Sequence, residues 1–321
     1  MRTRRRTVVA VAGALATAGL LAAVLAGRRE QFAGALDTAP LLILLAAAAL
    51  QVVALVSRSE AWHRCVHEAG ATVSRRSLFR AASMGNLGSL LSAQLGAAAR
   101  IAVLRHSAPR ETPHVPALIA AEVPIIAVEG ALGAVASFTL VGPLGLPWWT
   151  PLACLVAAGL VLVGLHTVAG HYPRGLWVGL AVLRSARGRV GVLGFVLVAV
   201  FAQIARNWLM LHAVGVHASV LDATAVLIAM VALAQLPVGP SVGAAAVVGV
   251  LGSGGVALAA AAGVLLTVTG TAGALGFLGW GLIDRLWVAR SGGTRSRSVR
   301  ARPRLDPSPV AEPLAPARRY A

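Results

Sequence analysis

Long apolar blocks alternate along this chain with short clusters of arginine. The blocks are Thr7–Ala26, Pro40–Val56, Val115–Leu140, Trp148–Leu165, Val190–Val214 and Val256–Ile283. A helix needs roughly 20 apolar residues to cross a bilayer, and these blocks are of that order. None shows the period-two alternation of a half-buried strand. The pattern predicts an all-α polytopic membrane bundle of about six spans.

Two further apolar stretches are too interrupted to read as simple crossings. The first, Phe79–Ala99, carries Ser83, Gly85, Asn86, Gly88, Ser89, Ser92, Gln94 and Gly96, with arginine at both ends. The second runs from Ala223 to Leu236, breaks at Pro237-Val238-Gly239-Pro240, resumes to Leu251 and breaks again at Gly252–Gly255. Each is expected to form a re-entrant hairpin of two broken helices. For the first, the alternative is an amphipathic helix lying on the surface. For the second, it is two full spans in addition to the last one.

Charge decides the direction of each crossing. The chain has 28 basic residues, all arginine, against 11 acidic ones, for a formal net charge of +17. They lie between and beyond the apolar blocks, not along a face interleaved with aromatics, so the pattern is that of the positive-inside rule and not of nucleic-acid binding. If Phe79–Ala99 crossed, Arg100, Arg105, Arg110, Arg174, Arg184, Arg187 and Arg189 would all face outside. A segment that dips in and returns keeps them in the cytoplasm. The same parity puts the second hairpin on the outer side, with both termini cytoplasmic in a plasma membrane. Thr7–Ala26, preceded by four arginines and followed by Arg28 and Arg29, is expected to be an uncleaved anchor instead of a signal peptide. Residues 1–290 form the membrane domain. Ser291–Ala321, rich in Arg, Ser, Pro and Gly, is expected to be a disordered basic cytoplasmic tail. A composition 58% hydrophobic and only 12% charged excludes a soluble domain.

Few residues carry candidate chemistry. Glu122 and Glu129 lie seven apart, on one helix face. An intramembrane carboxylate normally faces a cavity or a partner. Counting residues from the starts of their spans puts Glu129 and Arg206 at similar depth, which predicts an ion pair between them, architectural or functional. Arg100 ends the first hairpin, where an anionic headgroup would arrive and where a guanidinium fork suits phosphate. It also fits an ordinary positive-inside arginine. His63 and His67 are four apart, but the zincin order would need Glu where Arg64 stands, so an interfacial role is expected and no metal. Gly270, Gly273, Gly276 and Gly279 recur every third residue and would permit close helix contact. Cys65 and Cys154 form no disulfide or metal framework. With no nucleophile–base pair, phosphate loop or dinucleotide fingerprint, neither an enzyme activity nor a cofactor is expected.

The two hairpins resemble each other, Ala93-Gln94-Leu95-Gly96-Ala97-Ala98-Ala99 against Ala234-Gln235-Leu236 through Gly243 to Ala246, and enter from opposite sides as an inverted repeat requires. Broken segments in both halves of a chain are a pointer to a transport site. The order of Trp62 in a loop, a hairpin ending Gly96–Arg100, a span with Glu122 and Glu129, a Pro237–Gly243 hairpin and a terminal span resembles the flippase-like membrane domain of lysylphosphatidylglycerol synthases, over roughly Pro40–Arg285. The shared positions are Gly96, Arg100, Pro237, Pro240 and Gly243. The acidic residues that the family carries after each hairpin glycine are replaced here by Ala97 and Ala244–Ala246, and no synthase domain follows Arg290. The resemblance implies binding or translocation of an anionic lipid, a phospholipid or polyprenyl-phosphate carrier, around Gly96, Arg100, Glu122, Glu129, Arg206, Pro237, Pro240 and Gly243. The alternative is a non-transporting membrane subunit that anchors or regulates a partner enzyme, a cell-envelope glycosyltransferase.

Overall fold

A computed structural model describes residue 19 and residues 28–89, 93–108, 111–171, 175–234, 242–252 and 255–299. The described residues are helical, with no strand among them. A short helix α1 (Arg29–Asp37) precedes the long α2 (Leu41–Glu68). Helices α3 (Arg75–Ser89) and α4 (Ala93–Ser107) follow, then α5 (Val115–Ala120), α6 (Val123–Ala136), a 3₁₀ turn at Ser137–Leu140 and α7 (Val141–Leu144). Then come α8 (Trp149–His171), a 3₁₀ segment Gly175–Arg184, α9 (Ala186–Ala213), α10 (Val220–Leu233), α11 (Val242–Leu251) and α12 (Val256–Val299).

Five segments are long and apolar enough to cross a membrane: Leu41–Glu68, Val115–Leu144, Trp149–His171, Ala186–Ala213 and Val256–Trp287. The chain is therefore a helical, multi-pass membrane protein. Each segment overlaps one of the apolar blocks. The expected first span, Thr7–Ala26, lies outside the described residues except for Gly19. The chain divides into a compact unit to Leu282 and a second unit from Ile283 on. The helix continues past Arg290 as far as Val299, so the expected tail begins as helix; residues 300–321 lie outside the described ones.

The local boundaries follow from the sequence. Proline at position 124 has no N–H to give the carbonyl of residue 120 and its ring clashes there, so the Val115 block breaks. Accordingly α5 ends at Ala120 and α6 starts at Val123 with Pro124 in its first turn. Helix α10 opens with a reciprocal capping box between Ser219 and Asp222. Helix α2 runs on well past Val56, and Trp62, expected in a loop, sits within it and is fully buried. The apolar run does not stop there because Ala61, Trp62, Cys65 and Val66 pack into a core with Leu78, Leu104, Leu118 and Val196.

Helices α2 and α9 pack along much of their length. They are antiparallel: Arg64 lies against Gly191, and Gln51 meets Arg206. Small residues line the seam, Ala54 against Ala199 and Ala202. Without a hydrophobic drive between helices in lipid, such residues let the backbones approach. Helix α12 packs on α2, with Gly273 against Ala48 and Gln51, and Phe277 joins Phe79 and Ala82 in a cluster against which Leu55 and Val56 pack. Of the four recurring glycines only Gly270 and Gly273 are in close contact; beside Gly276 and Gly279 there is open space.

Helices α3 and α4 pack closely on each other and are antiparallel, since Gly88 meets Leu95 and Gly85 meets Arg100. Their 15 residues each correspond to about 22 Å, short of a hydrocarbon core of about 30 Å. Helices α10 and α11, 14 and 10 residues long, also pack together and are shorter still. The α3–α4 pair reaches α12 near its Gly281, through Ser83, whereas α11 reaches α12 at Gly263.

Candidate functional site

Two sets of polar groups lie among the apolar helices. Helix α2 supplies both. Ala47, Gln51, Ala54, Arg58, Ala61 and Cys65 recur at alternating spacings of four and three, so they share one face. Five of these side chains turn toward α4, α6, α9 or α12.

The first set is an electrically balanced cluster. Arg58 of α2 pairs with Glu129 of α6 at 3.0 Å, their side chains 44% and 28% exposed. Arg100 of α4 donates to Glu122, the N-cap residue of α6, and both are nearly buried. The Arg100 guanidinium also lies over the Trp62 ring, 4.2 Å from its centre. Arg58 and Glu129 act electrostatically on Arg100, and Glu122 and Arg100 act on Glu129. Two guanidinium groups thus face two carboxylates, with no net charge left over. A neighbouring contact, Arg75 to Glu60 at 2.7 Å with His63 3.8 Å from Glu60, ties the start of α3 to α2. His63 and His67 lie with rings 6.1 Å apart.

The second set has one cation and no anion. Arg206 of α9 is 6% exposed. It donates to Oε1 of Gln51 and, at 2.7 Å, to the carbonyl of Leu266 in α12. Both acceptors are neutral. Its Nε has no partner, and no carboxylate among the described residues reaches it. Gly270 makes room for it: a Cβ there would lie 3.2 Å from the guanidinium.

This corrects the expected Glu129–Arg206 pair. Glu129 binds Arg58 and Arg206 binds Gln51. Arg58 and Gln51 are seven residues apart on α2, about 10 Å along its axis, so the two groups do not share a depth. The count failed because α9 begins at Ala186, before its apolar block, so Arg206 lies 20 residues from the start of its helix and Glu129 only 14 from the start of its segment. Depth also says nothing of angle, and α9 turns Arg206 toward α2 and α12.

Arg100, expected to be open to an arriving headgroup, is instead neutralised by Glu122 and covered by Trp62. Gly96 lies against Gly85 and Gly88 of its own hairpin, and Gly243 against Gly263: a Cβ at Gly243 would lie 2.7 Å from the Gly263 carbonyl oxygen and 2.7 Å from Oγ1 of Thr267. Each glycine is filled by a different neighbour and serves close packing, not access to one cavity. Pro237 and Pro240 lie outside the described residues.

Gln51, Arg58 and the Leu266 carbonyl were missed from the sequence. The first two had a signal, a polar pair spaced at i, i+7 in a helix otherwise apolar on that face; a backbone carbonyl has none. Compared with family models, curated proteins and solved structures, the chain matches none of them.

Proposed function

We propose that this protein binds an anionic lipid, with Arg206 holding the phosphate of the headgroup. The observation that carries the reading is the contrast between the balanced Arg58–Arg100–Glu122–Glu129 cluster and the uncompensated Arg206. A buried guanidinium without a counter-ion costs several kcal/mol in a low-dielectric interior. An anion that reached the guanidinium would remove that cost by taking the place of its neutral acceptors, because phosphate accepts parallel guanidinium donors in matching geometry. The likeness of the hairpin segments to the flippase-like membrane domain supports a lipid phosphate. With the arginine-rich side in the cytoplasm, Arg206 sits toward the outer leaflet and the helix pairs α3–α4 and α10–α11 are the re-entrant hairpins of opposite sides.

The test uses the full chain in nanodiscs of phosphatidylcholine and phosphatidylglycerol in equal parts, followed by native mass spectrometry. The wild type should retain phosphatidylglycerol preferentially, and Arg206→Gln should lose that preference several-fold. Competition by inorganic phosphate but not by phosphatidylglycerol would assign the site to a free anion instead. If Arg206→Gln retains anionic lipid like the wild type, the anchoring-subunit reading replaces this one. Lipid scrambling by the purified protein in liposomes would extend binding to translocation.

A further inference from the structure

A second place on the molecule has the character of a lipid site, away from Arg206. Between helices α6 and α8 and the 3₁₀ segment lies a cavity of about 190 Å³. Pro124 and Val128 line it from α6, Leu162 and Leu165 from α8, and Leu183 from the 3₁₀ segment. A dry apolar cavity of about 150 Å³ already admits a benzene ring, so this one holds a length of hydrocarbon chain. Two polar side chains complete the lining, His166 and Arg189. Both are exposed. Arg189 donates from one Nη to the Leu183 carbonyl at 3.1 Å, and no acidic side chain among the described residues pairs with it. Arg184 and Arg187 flank it in sequence.

We infer that this cavity seats one acyl chain of an anionic phospholipid, with Arg189 and His166 gripping its headgroup phosphate. The surroundings decide the class of occupant. Leu162, in the lining itself, is 39% exposed and most of α8 is uncovered, so the cavity opens where the protein meets hydrocarbon. A gap there fills with a lipid tail, because leaving it empty forfeits the dispersion contacts of its lining. The basic pair then selects among headgroups: a guanidinium and an imidazole, unopposed by any carboxylate in the lining, favour a phosphodiester with net negative charge over a zwitterion. Arg189 lies near the start of α9 and Arg206 near its end, 17 residues and about 25 Å apart along the helix, so the two sites would serve opposite leaflets.

The test reconstitutes the full chain in phosphatidylcholine vesicles. The vesicles carry a trace of either phosphatidylglycerol or phosphatidylcholine with a photoactivatable diazirine on one acyl chain. The phosphatidylglycerol probe should label peptides containing Val128 and Leu165 several-fold more than the phosphatidylcholine probe. Arg189→Gln with His166→Gln should abolish that preference; both side chains are exposed, so folding is not at stake. Leu165→Trp, which fills the cavity, should reduce labelling by both probes. Arg206→Gln should leave the labelling unchanged, which separates this site from the first. Equal labelling by the two probes, a preference that survives the double variant, or its loss in Arg206→Gln would each overturn the inference.

Discussion

Arg100 and Arg206 are both guanidinium groups buried between helices, yet substitution should affect them in opposite ways. Arg100 has a carboxylate partner, Glu122, in a nearly buried pair. Removing one member of such a pair leaves the other charge uncompensated, at a cost of about 3–5 kcal/mol. Glu122→Gln should therefore lower the detergent melting temperature sharply, and adding Arg100→Gln should recover part of the loss. Additive single and double effects would show that the two are not coupled. Arg206→Gln removes a charge that has only neutral acceptors, so without anionic lipid its melting temperature should stay near that of the wild type. What it should lose is the upward shift on adding phosphatidylglycerol, since a ligand stabilises only the protein that binds it. A drop in melting temperature equal to that of Glu122→Gln would mark Arg206 as architectural. The presence of charged residues in the spans was legible from their rarity among apolar neighbours. Their partners were not, because pairing depends on helix rotation and on where each helix begins, neither of which spacing along the sequence contains.

At the scale of elements, the glycines of the short helices mark where backbones touch. Helix α11 lies so close to α12 that a Cβ at Gly263 would fall on the Cα of Ala244. Gly263→Ala and Gly243→Ala should each destabilise by about 1–3 kcal/mol through overpacking. Gly249→Ala, on the same helix with nothing near its Cβ, should be neutral or slightly stabilising. Thermal melts of the three variants check this, and equal effects at all three positions would remove the packing argument. The α3–α4 pair uses the same device: a Cβ at Gly88 would lie 2.7 Å from the carbonyl oxygen of Leu95. Interrupted segments in both halves were legible as short helices because their serines, glycines and prolines break apolar runs below spanning length. That their glycines face neighbouring backbone was not legible, because a glycine open to a ligand and a glycine against a helix look identical in sequence. The spacing of Gly270 to Gly279 illustrates the same limit, since half of that stripe meets another helix and half meets open space.

For the molecule as a whole, helix directions and arginine positions bear on one another. Arg64 of α2 lies against Gly191 near the start of α9, and Arg184, just before α9, donates to the Ala169 carbonyl near the end of α8. Arg80 and Ser83 of α3 approach Gly281 of α12. These contacts gather Arg64, Arg80, Arg184, Arg187 and Arg189 at one end of the compact unit. At the other end Phe32 and Leu36 of α1 pack against the cluster that holds Leu211, Val214 and Ala218, and among the described residues the arginines there are Arg28 and Arg29. Such asymmetry orients a membrane protein with its arginine-rich end in the cytoplasm. Single-cysteine labelling tests that orientation directly. Cys65 is fully buried, whereas Cys154 is exposed, so Cys154→Ser is the necessary background change. In that background Ser107→Cys, at the exposed end of α4, should react with an impermeant maleimide only after cells are opened. His217→Cys, in the exposed turn between α9 and α10, should react in intact cells. Reaction of both positions from the same side would require an even number of crossings between them, whereas Val115–Leu144, Trp149–His171 and Ala186–Ala213 make three. Reaction of Ser107→Cys from outside alone would invert the molecule, moving Arg206 to the cytoplasmic leaflet and Arg189 to the outer one.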